Sequence, residues 1–318
     1  MKTMQITKVA FRLIVVLLAI LNGFSPFRAQ AEDNAPRPPR QDALISVNIG
    51  LDLAGVHLTG ANLEDIQASW DVWYEEFGER YGFSPQIIFY EDIRAIEQDF
   101  NANKLDIVST SALNYLRMTP EIEANRDPNI YGVVNGGKKT YQYLVLVRSG
   151  SGVSDVKDVQ GKTVIIKKDD KTGLFYLNTL LLRNGRAEPD RFFLAIEGAE
   201  SFSRAVLSVF FQKDDACLTT KAVFETMAEL NPQVGKQLII LDRSPELANG
   251  IFFFHQHLSQ DIKEILVKHL LDLETSVYGR QILMLYKIDR LVQFEPSDLD
   301  SIKILLQEYE THTHQQRQ

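Results

Sequence analysis

From residue 44 onward, short apolar runs alternate with longer amphipathic segments, which predicts an α/β protein with largely parallel sheets. Strands are predicted at 44–49, 86–90, 105–108, 143–147, 163–166, 215–218, 238–241 and 251–254. A helix is predicted over 63–81, where Ile66, Trp70, Trp73, Phe77 and Tyr81 recur at spacings of three and four behind an Asn62 cap. Further helices fall at 93–102, 173–183, 200–211 and 297–308. Ser109-Thr110-Ser111 opens another that carries Leu113 and Leu116. Ile262, Ile265, Leu266, His269 and Leu273 form one helical stripe, with His269 expected as a hydrogen-bonded core residue. Residues 312–318 read as a polar, solvated tail.

The N-terminus has a different pattern. Lys2 and Lys8 precede an apolar run at 13–21, too short to span a bilayer, and Ala29-Gln30-Ala31 follows. This order predicts a signal peptide over 1–31, cleaved near Ala31, and a periplasmic protein secreted across the inner membrane. An uncleaved anchor is the alternative. No Cys stands at the end of the apolar run, which argues against a lipid-anchored lipoprotein. Residues 32–42 contain three prolines and read as a flexible leader. Beyond residue 31 no run of 18 or more apolar residues occurs.

Charge narrows the partners. The 318-residue chain has a net charge of −8. Cleavage would remove Lys2, Lys8, Arg12 and Arg28 but no acid, leaving 30 basic against 42 acidic residues, or −12. That balance argues against a nucleic-acid partner. Cys217 is the only cysteine, so no intrachain disulfide forms; within Ala216-Cys217-Leu218 it reads as a small core residue.

No nucleophile elbow, H-E-x-x-H, C-x-x-C, P-loop or G-x-G-x-x-G is present, so the chain is read as not an enzyme, without cofactor or metal. His255 and His257 alternate along one strand with no third ligand, and read as surface histidines at a strand end. The Trp70/Trp73 pair reads as core. Three loops at strand-to-helix junctions remain: Ser109-Thr110-Ser111, Asp170-Lys171-Thr172-Gly173 and Gly198-Ala199-Glu200-Ser201. Such loops present backbone N–H groups suited to anions at the carboxyl edge of an open sheet. Plain helix capping by Ser and Thr is the alternative for each.

In order, these segments resemble the periplasmic phosphate/phosphite/phosphonate-binding proteins of ABC importers. The likeness covers about Leu44 to Leu306. Its carriers include Lys104-Leu105-Asp106-Ile107-Val108, the run Tyr141 to Arg148, and Asp158-Val159-Gln160-Gly161-Lys162-Thr163-Val164. Gln212-Lys213-Asp214-Asp215-Ala216, Arg243-Ser244-Pro245-Glu246-Leu247, Gly279-Arg280-Gln281-Ile282-Leu283 and Phe294 to Asp300 complete the series. The resemblance implies a two-lobed, type II (transferrin-like) fold with two mostly parallel sheets. Residues 41–140 plus 248–318 would form lobe 1 and 141–247 lobe 2, closing on ligand between them. It also implies ligand contacts from Ser109, Thr110 and Ser111 on one lobe and Lys171, Thr172 and Gly173 on the other. Tyr141 would lie near the hinge, with Glu200 and Thr219 on the far wall.

Two departures bear on the ligand. Asp170 stands where the family's second loop begins S-T-S-G, and Glu200 stands where a His commonly follows "G-[SA]". A carboxylate facing a phosphonate is coulombically unfavourable. A zwitterionic, cationic or uncharged ligand is therefore admitted, with Asp170 or Glu200 as counter-charge. The expected function is capture of a small polar molecule for an inner-membrane ABC permease. A periplasmic sensor docking on a membrane receptor is the alternative, and an enzyme using the same cleft ranks below it.

Overall fold

The computed structural model describes residues 45–53, 68, 82–186 and 188–316. The signal at 1–31, the leader at 32–42 and the stripe Ile66, Trp70, Trp73, Phe77 and Tyr81 lie outside the described residues. The strands are β1 (Ile45–Asp52), β2 (Phe83–Tyr90), β3 (Ile107–Thr110), β4 (Arg126–Val134), β5 (Thr140–Tyr141), β6 (Tyr143–Arg148) and β7 (Thr163–Lys167). They continue as β8 (Ala195–Ala199), β9 (Ala216–Thr220), β10 (Leu238–Arg243), β11 (Leu247–Ala248), β12 (Ile251–His255) and β13 (Arg290–Phe294).

A first sheet runs β13-β4-β12-β3-β1-β2, a second β10-β6-β9-β7-β8, and β5 pairs with β11 in a short ribbon. Both large sheets are mixed rather than mostly parallel. In the first, β1, β2 and β3 are parallel while β12, β4 and β13 are antiparallel to their neighbours. In the second, β7, β8 and β9 are parallel while β6 and β10 run against them. The reason is connectivity. Strands β6 and β12 each enter directly from the other sheet, without the helical crossover that keeps successive strands parallel.

Burial follows the expected patterns. Strand β6 (YLVLVR) is buried at its first five positions, as befits an interior strand covered on both faces. Helix Phe202–Phe210 buries Phe202, Ala205, Val206 and Val209, one face at i, i+3, i+4, i+7 spacing. Cys217 is fully buried among Leu144, Leu146 and Val206, and burial raises its thiol pKa.

Strands β4, β8 and β13 leave no clear apolar signature. Strand β8 (AIEGA) is an edge with exposed Glu197 and Gly198, and β13 is the edge of the first sheet. The last helix continues to Gln316, through the stretch read as a tail. Fully buried Ile302 and Leu305 anchor it, while Thr311 and Thr313 hydroxyls donate to the Gln307 and Tyr309 carbonyls.

Candidate functional site

Register decides which ends of the strands meet. In the first sheet Leu51 pairs with Ser109, and Ile251 with both Thr110 and Gly132. The carboxyl ends of β1, β3 and β4 and the amino end of β12 therefore share one edge. In the second sheet Tyr143 pairs with Thr220, which brings the start of β6 beside the end of β9. A cavity of about 670 Å³ is lined from both edges. The first sheet supplies Asp52, Ser109, Thr110, Asn135 and Asn249. The second supplies Lys167, Glu200, Ser201, Ser203, Thr220 and Lys221, with Tyr141 and Gln142 from the crossing segment. An apolar end continues along the first sheet past Val47, Ile49 and Phe252.

Two helices start at this cavity. Ser201 caps Phe202–Phe210 by accepting the Arg204 N–H, and Thr220 caps Lys221–Leu230 by accepting the Val223 N–H. Their first turns leave N–H groups and the positive end of the helix dipole at the wall. Lys167, at the end of β7, is buried, and its ammonium lies 6.0 Å from the centre of the Phe202 ring. Burial lowers its pKa; Asp170, Asp169 and Glu200 act in the opposite sense. On the facing side, the buried Asp52 accepts the Thr110 hydroxyl and the Asn114 amide, each at 2.7 Å on Oδ2. A carboxylate and an ammonium thus occupy the two edges.

Of the ten residues expected at the site, Ser109, Thr110, Tyr141 and Glu200 line the cavity. Glu200 is ion-paired with Lys168, and that pairing holds its carboxyl below the usual range. Its charge is compensated by its neighbour. Ser111 caps the helix Ala112–Leu116, accepting the Asn114 N–H. Thr219 is fully buried, its hydroxyl without a hydrogen-bond partner among the described residues, and its neighbour Thr220 reaches the cavity instead.

Asp170, Lys171, Thr172 and Gly173 do not line the cavity. Asp170 caps helix Lys171–Arg183; its Oδ1 accepts the Gly173 N–H at 2.9 Å and the Tyr143 hydroxyl at 2.6 Å. Burial raises its carboxyl pKa, only partly offset by those two donors. Lys171 donates to the Glu91 carbonyl at 3.2 Å. A carboxylate that fills the helix start is turned into the wall, so neither Asp170 nor Glu200 stands as an uncompensated charge toward the cavity. Asp52, Lys167 and Thr220 carry no mark in the sequence, whereas Ser201 closes the candidate loop Gly198-Ala199-Glu200-Ser201. Each follows or ends a strand, and only the strand register marks them as sharing an edge.

Of the two histidines expected at the surface, His257 is exposed but His255 is not. His255 is 2% exposed, with its ring 4.4 Å from Phe100 and 4.0 Å from His257. His257 pairs with Asp106 at 2.8 Å. Among the described residues no group of three or more His, Cys, Asp or Glu is arranged to hold a metal, and no helix is long and apolar enough to cross a membrane.

Two mixed sheets joined by a two-stranded crossing ribbon, with a cavity at their facing edges, define a two-lobed periplasmic-binding-protein fold. Residues 58–299 match the family described as "ABC transporter, phosphonate, periplasmic substrate-binding protein", and the chain belongs to that family. Solved structures share the fold. A binding-protein component of an ABC phosphonate transporter from Pseudomonas aeruginosa is 15% identical, with a TM-score of 0.59 over 85% of this chain and 88% of that one. A Xanthomonas citri protein bound to ATP is 15% identical, with a TM-score of 0.60 over 85% and 98%. A Prochlorococcus marinus protein in complex with methylphosphonate is 14% identical, with a TM-score of 0.57 over 83% and 98%. No curated protein sequence matches the chain.

Proposed function

We propose that this protein, exported by its N-terminal signal and cleaved near Ala31, captures a small phosphonate-class anion and delivers it to an inner-membrane ABC permease. Residues 41–140 plus 248–318 would act as one lobe and 141–247 as the other, hinged at the β5–β11 ribbon. In support, the described strands change sheet only between β4 and β6 and between β10 and β12. The single observation that carries the ligand class is the meeting of Lys167 with the starts of helices Phe202–Phe210 and Lys221–Leu230 on one wall. A buried ammonium and two helix dipoles favour an anion, and a closing cavity strengthens each interaction by excluding water. The sensor alternative has no support from the family or from the shared fold.

The test is a thermal-shift screen against phosphate, phosphite, methylphosphonate, sulfonates and amines. Tight ligands raise the melting temperature by mass action, about 2.7 kcal/mol of stabilisation at one hundred times Kd. A phosphonate or phosphate is expected to give the largest shift. Lys167→Met should weaken that ligand by roughly 1.5–3 kcal/mol, the range for a hydrogen bond to a charged group. A panel in which amines shift the protein and anions do not would overturn the ligand class.

A further inference from the structure

A carboxylate on a wall that suits an anion needs partners, and Glu200 has one for only one of its two oxygens. It precedes helix Phe202–Phe210 and lines the cavity beside Ser201 and Ser203. Its Oε1 accepts the Lys168 ammonium, while its Oε2 has no donor among the described residues. Lys168 reaches it across β8. The Lys168 backbone N–H donates to the Ala199 carbonyl at 2.8 Å, and its stem lies over Gly198, where a Cβ would fall 2.8 Å from Lys168 Cγ. Both side chains are exposed, so the ion pair adds little to stability. Its effect is on charge state: Lys168 holds the Glu200 carboxyl below the usual range, and an ionised carboxylate can only accept.

We propose that Glu200 is a specificity-determining residue whose Oε2 accepts the remaining proton of the ligand, so that the cavity selects a singly protonated phosphorus oxyanion over oxyanions that carry no proton. Glu200 takes this role only if the cavity captures anions as proposed above, and it adds the ligand's protonation state to that reading. The bare oxygens of the ligand face Lys167 and the two helix starts, and the P–OH group donates to Glu200. A sulfonate of the same shape has three bare oxygens and must set one against the carboxylate. Closure removes the water that screens that contact, so discrimination grows as the cavity closes. The charged groups around Glu200 are Lys168 and Lys167 at the end of β7 and Arg204 on its own helix. Asp169 acts on both lysines from the adjoining loop, Lys221 and Glu225 of the neighbouring helix line the same cavity, and Asp52 stands on the opposite edge. Burial lowers the pKa of Lys167, so its titration has to be separated from that of the ligand.

The test is calorimetry with methylphosphonate and methanesulfonate from pH 6 to 9, on wild type, Glu200→Gln, Lys168→Met and the double variant. These substitutions fall on exposed side chains, so the variants should fold. At pH 6 wild type should prefer methylphosphonate by at least about tenfold, and its affinity should fall toward about tenfold per pH unit once the phosphonate gives up its second proton, the slope of one linked proton. Glu200→Gln can donate from its amide, so it should accept the dianion, flatten that slope and bring the two ligands within about threefold of each other. Lys168→Met should weaken methylphosphonate by about threefold to fivefold when Glu200 is present and leave it unchanged in Glu200→Gln, the mark of two residues acting as a unit. A slope that persists in Glu200→Gln belongs to Lys167 and overturns the proposal, as does a sulfonate that wild type binds as tightly as the phosphonate. In both cases capture of an anion stands. If wild type binds neither ligand, capture of a phosphonate fails and the role of Glu200 fails with it.

Discussion

At the residue scale, the Asp170–Gly173 pair explains how a carboxylate can occupy a helix start without facing the cavity. A Cβ on Gly173 would lie 2.3 Å from Asp170 Oδ2 and 2.7 Å from Leu218 Cδ2, so only glycine lets the carboxylate fold back over the first turn. Gly173→Ala should therefore cost about 1–3 kcal/mol, the usual range for overpacking a filled site, despite alanine's better helix propensity. Urea unfolding measures it, and an unchanged or raised midpoint would show that the loop has room to give. The same pair marks a limit of reading sequence. An acidic residue before Lys-Thr-Gly is equally compatible with facing a ligand or with capping, and the choice depends on Tyr143, 27 residues away on β6. No local pattern contains that partner.

At the element scale, the seam between β3 and β12 predicts a pH dependence. His255 ends β12 between the Phe100 and His257 rings, its Nδ1 accepts the His257 N–H, and its Nε2 is buried without a partner among the described residues. Burial first, then the neighbouring His257, lowers its pKa from 6.5 to about 4, with Lys263 acting in the same direction and the Phe100 backbone and Asp106 opposing. The unfolded chain thus binds more protons than the folded one between these values. The stability His255 contributes is complete above about pH 6.5 and is withdrawn as pH falls toward 4, by at most ~3 kcal/mol. Urea unfolding from pH 7 to 4 should show a steeper loss in wild type than in His255→Gln; parallel slopes would sink this account.

Most interior elements were legible from periodicity, because buried strands such as β6 and amphipathic helices such as Phe202–Phe210 carry their environment in their side chains. The edge strands β8 and β13 and the polar-starting β4 were not, since one-sided or partial burial leaves no apolar run. Four of the ten residues expected at the site, Ser109, Thr110, Tyr141 and Glu200, line the cavity. Asp52, Lys167 and Thr220 emerge only from strand register, which is long-range information.

At the scale of the whole molecule, three contacts join elements of the first sheet to helix Lys171–Arg183 of the second. Lys171 reaches the Glu91 carbonyl, the Arg117 guanidinium lies 5.8 Å from the centre of the Phe175 ring, and Tyr309 of the last helix meets the same ring at 4.8 Å. Arg183 adds an ion pair to Glu308 at 3.6 Å. In a hinged protein, contacts made only when the halves meet set the closed population, and apparent affinity scales with that population. Lys171 and Arg117 are exposed, so each contact is worth only about 0.5–1 kcal/mol. Removing both in Lys171→Ala/Arg117→Ala should shift the open-to-closed ratio by roughly fivefold to thirtyfold while sparing the core. Small-angle scattering of the ligand-free protein should then give a larger radius of gyration, and the ligand found in the thermal-shift screen should dissociate faster with little change in association rate. Identical scattering and identical dissociation would mean that these contacts persist through hinge motion, so that helix Lys171–Arg183 travels with the first sheet rather than closing against it.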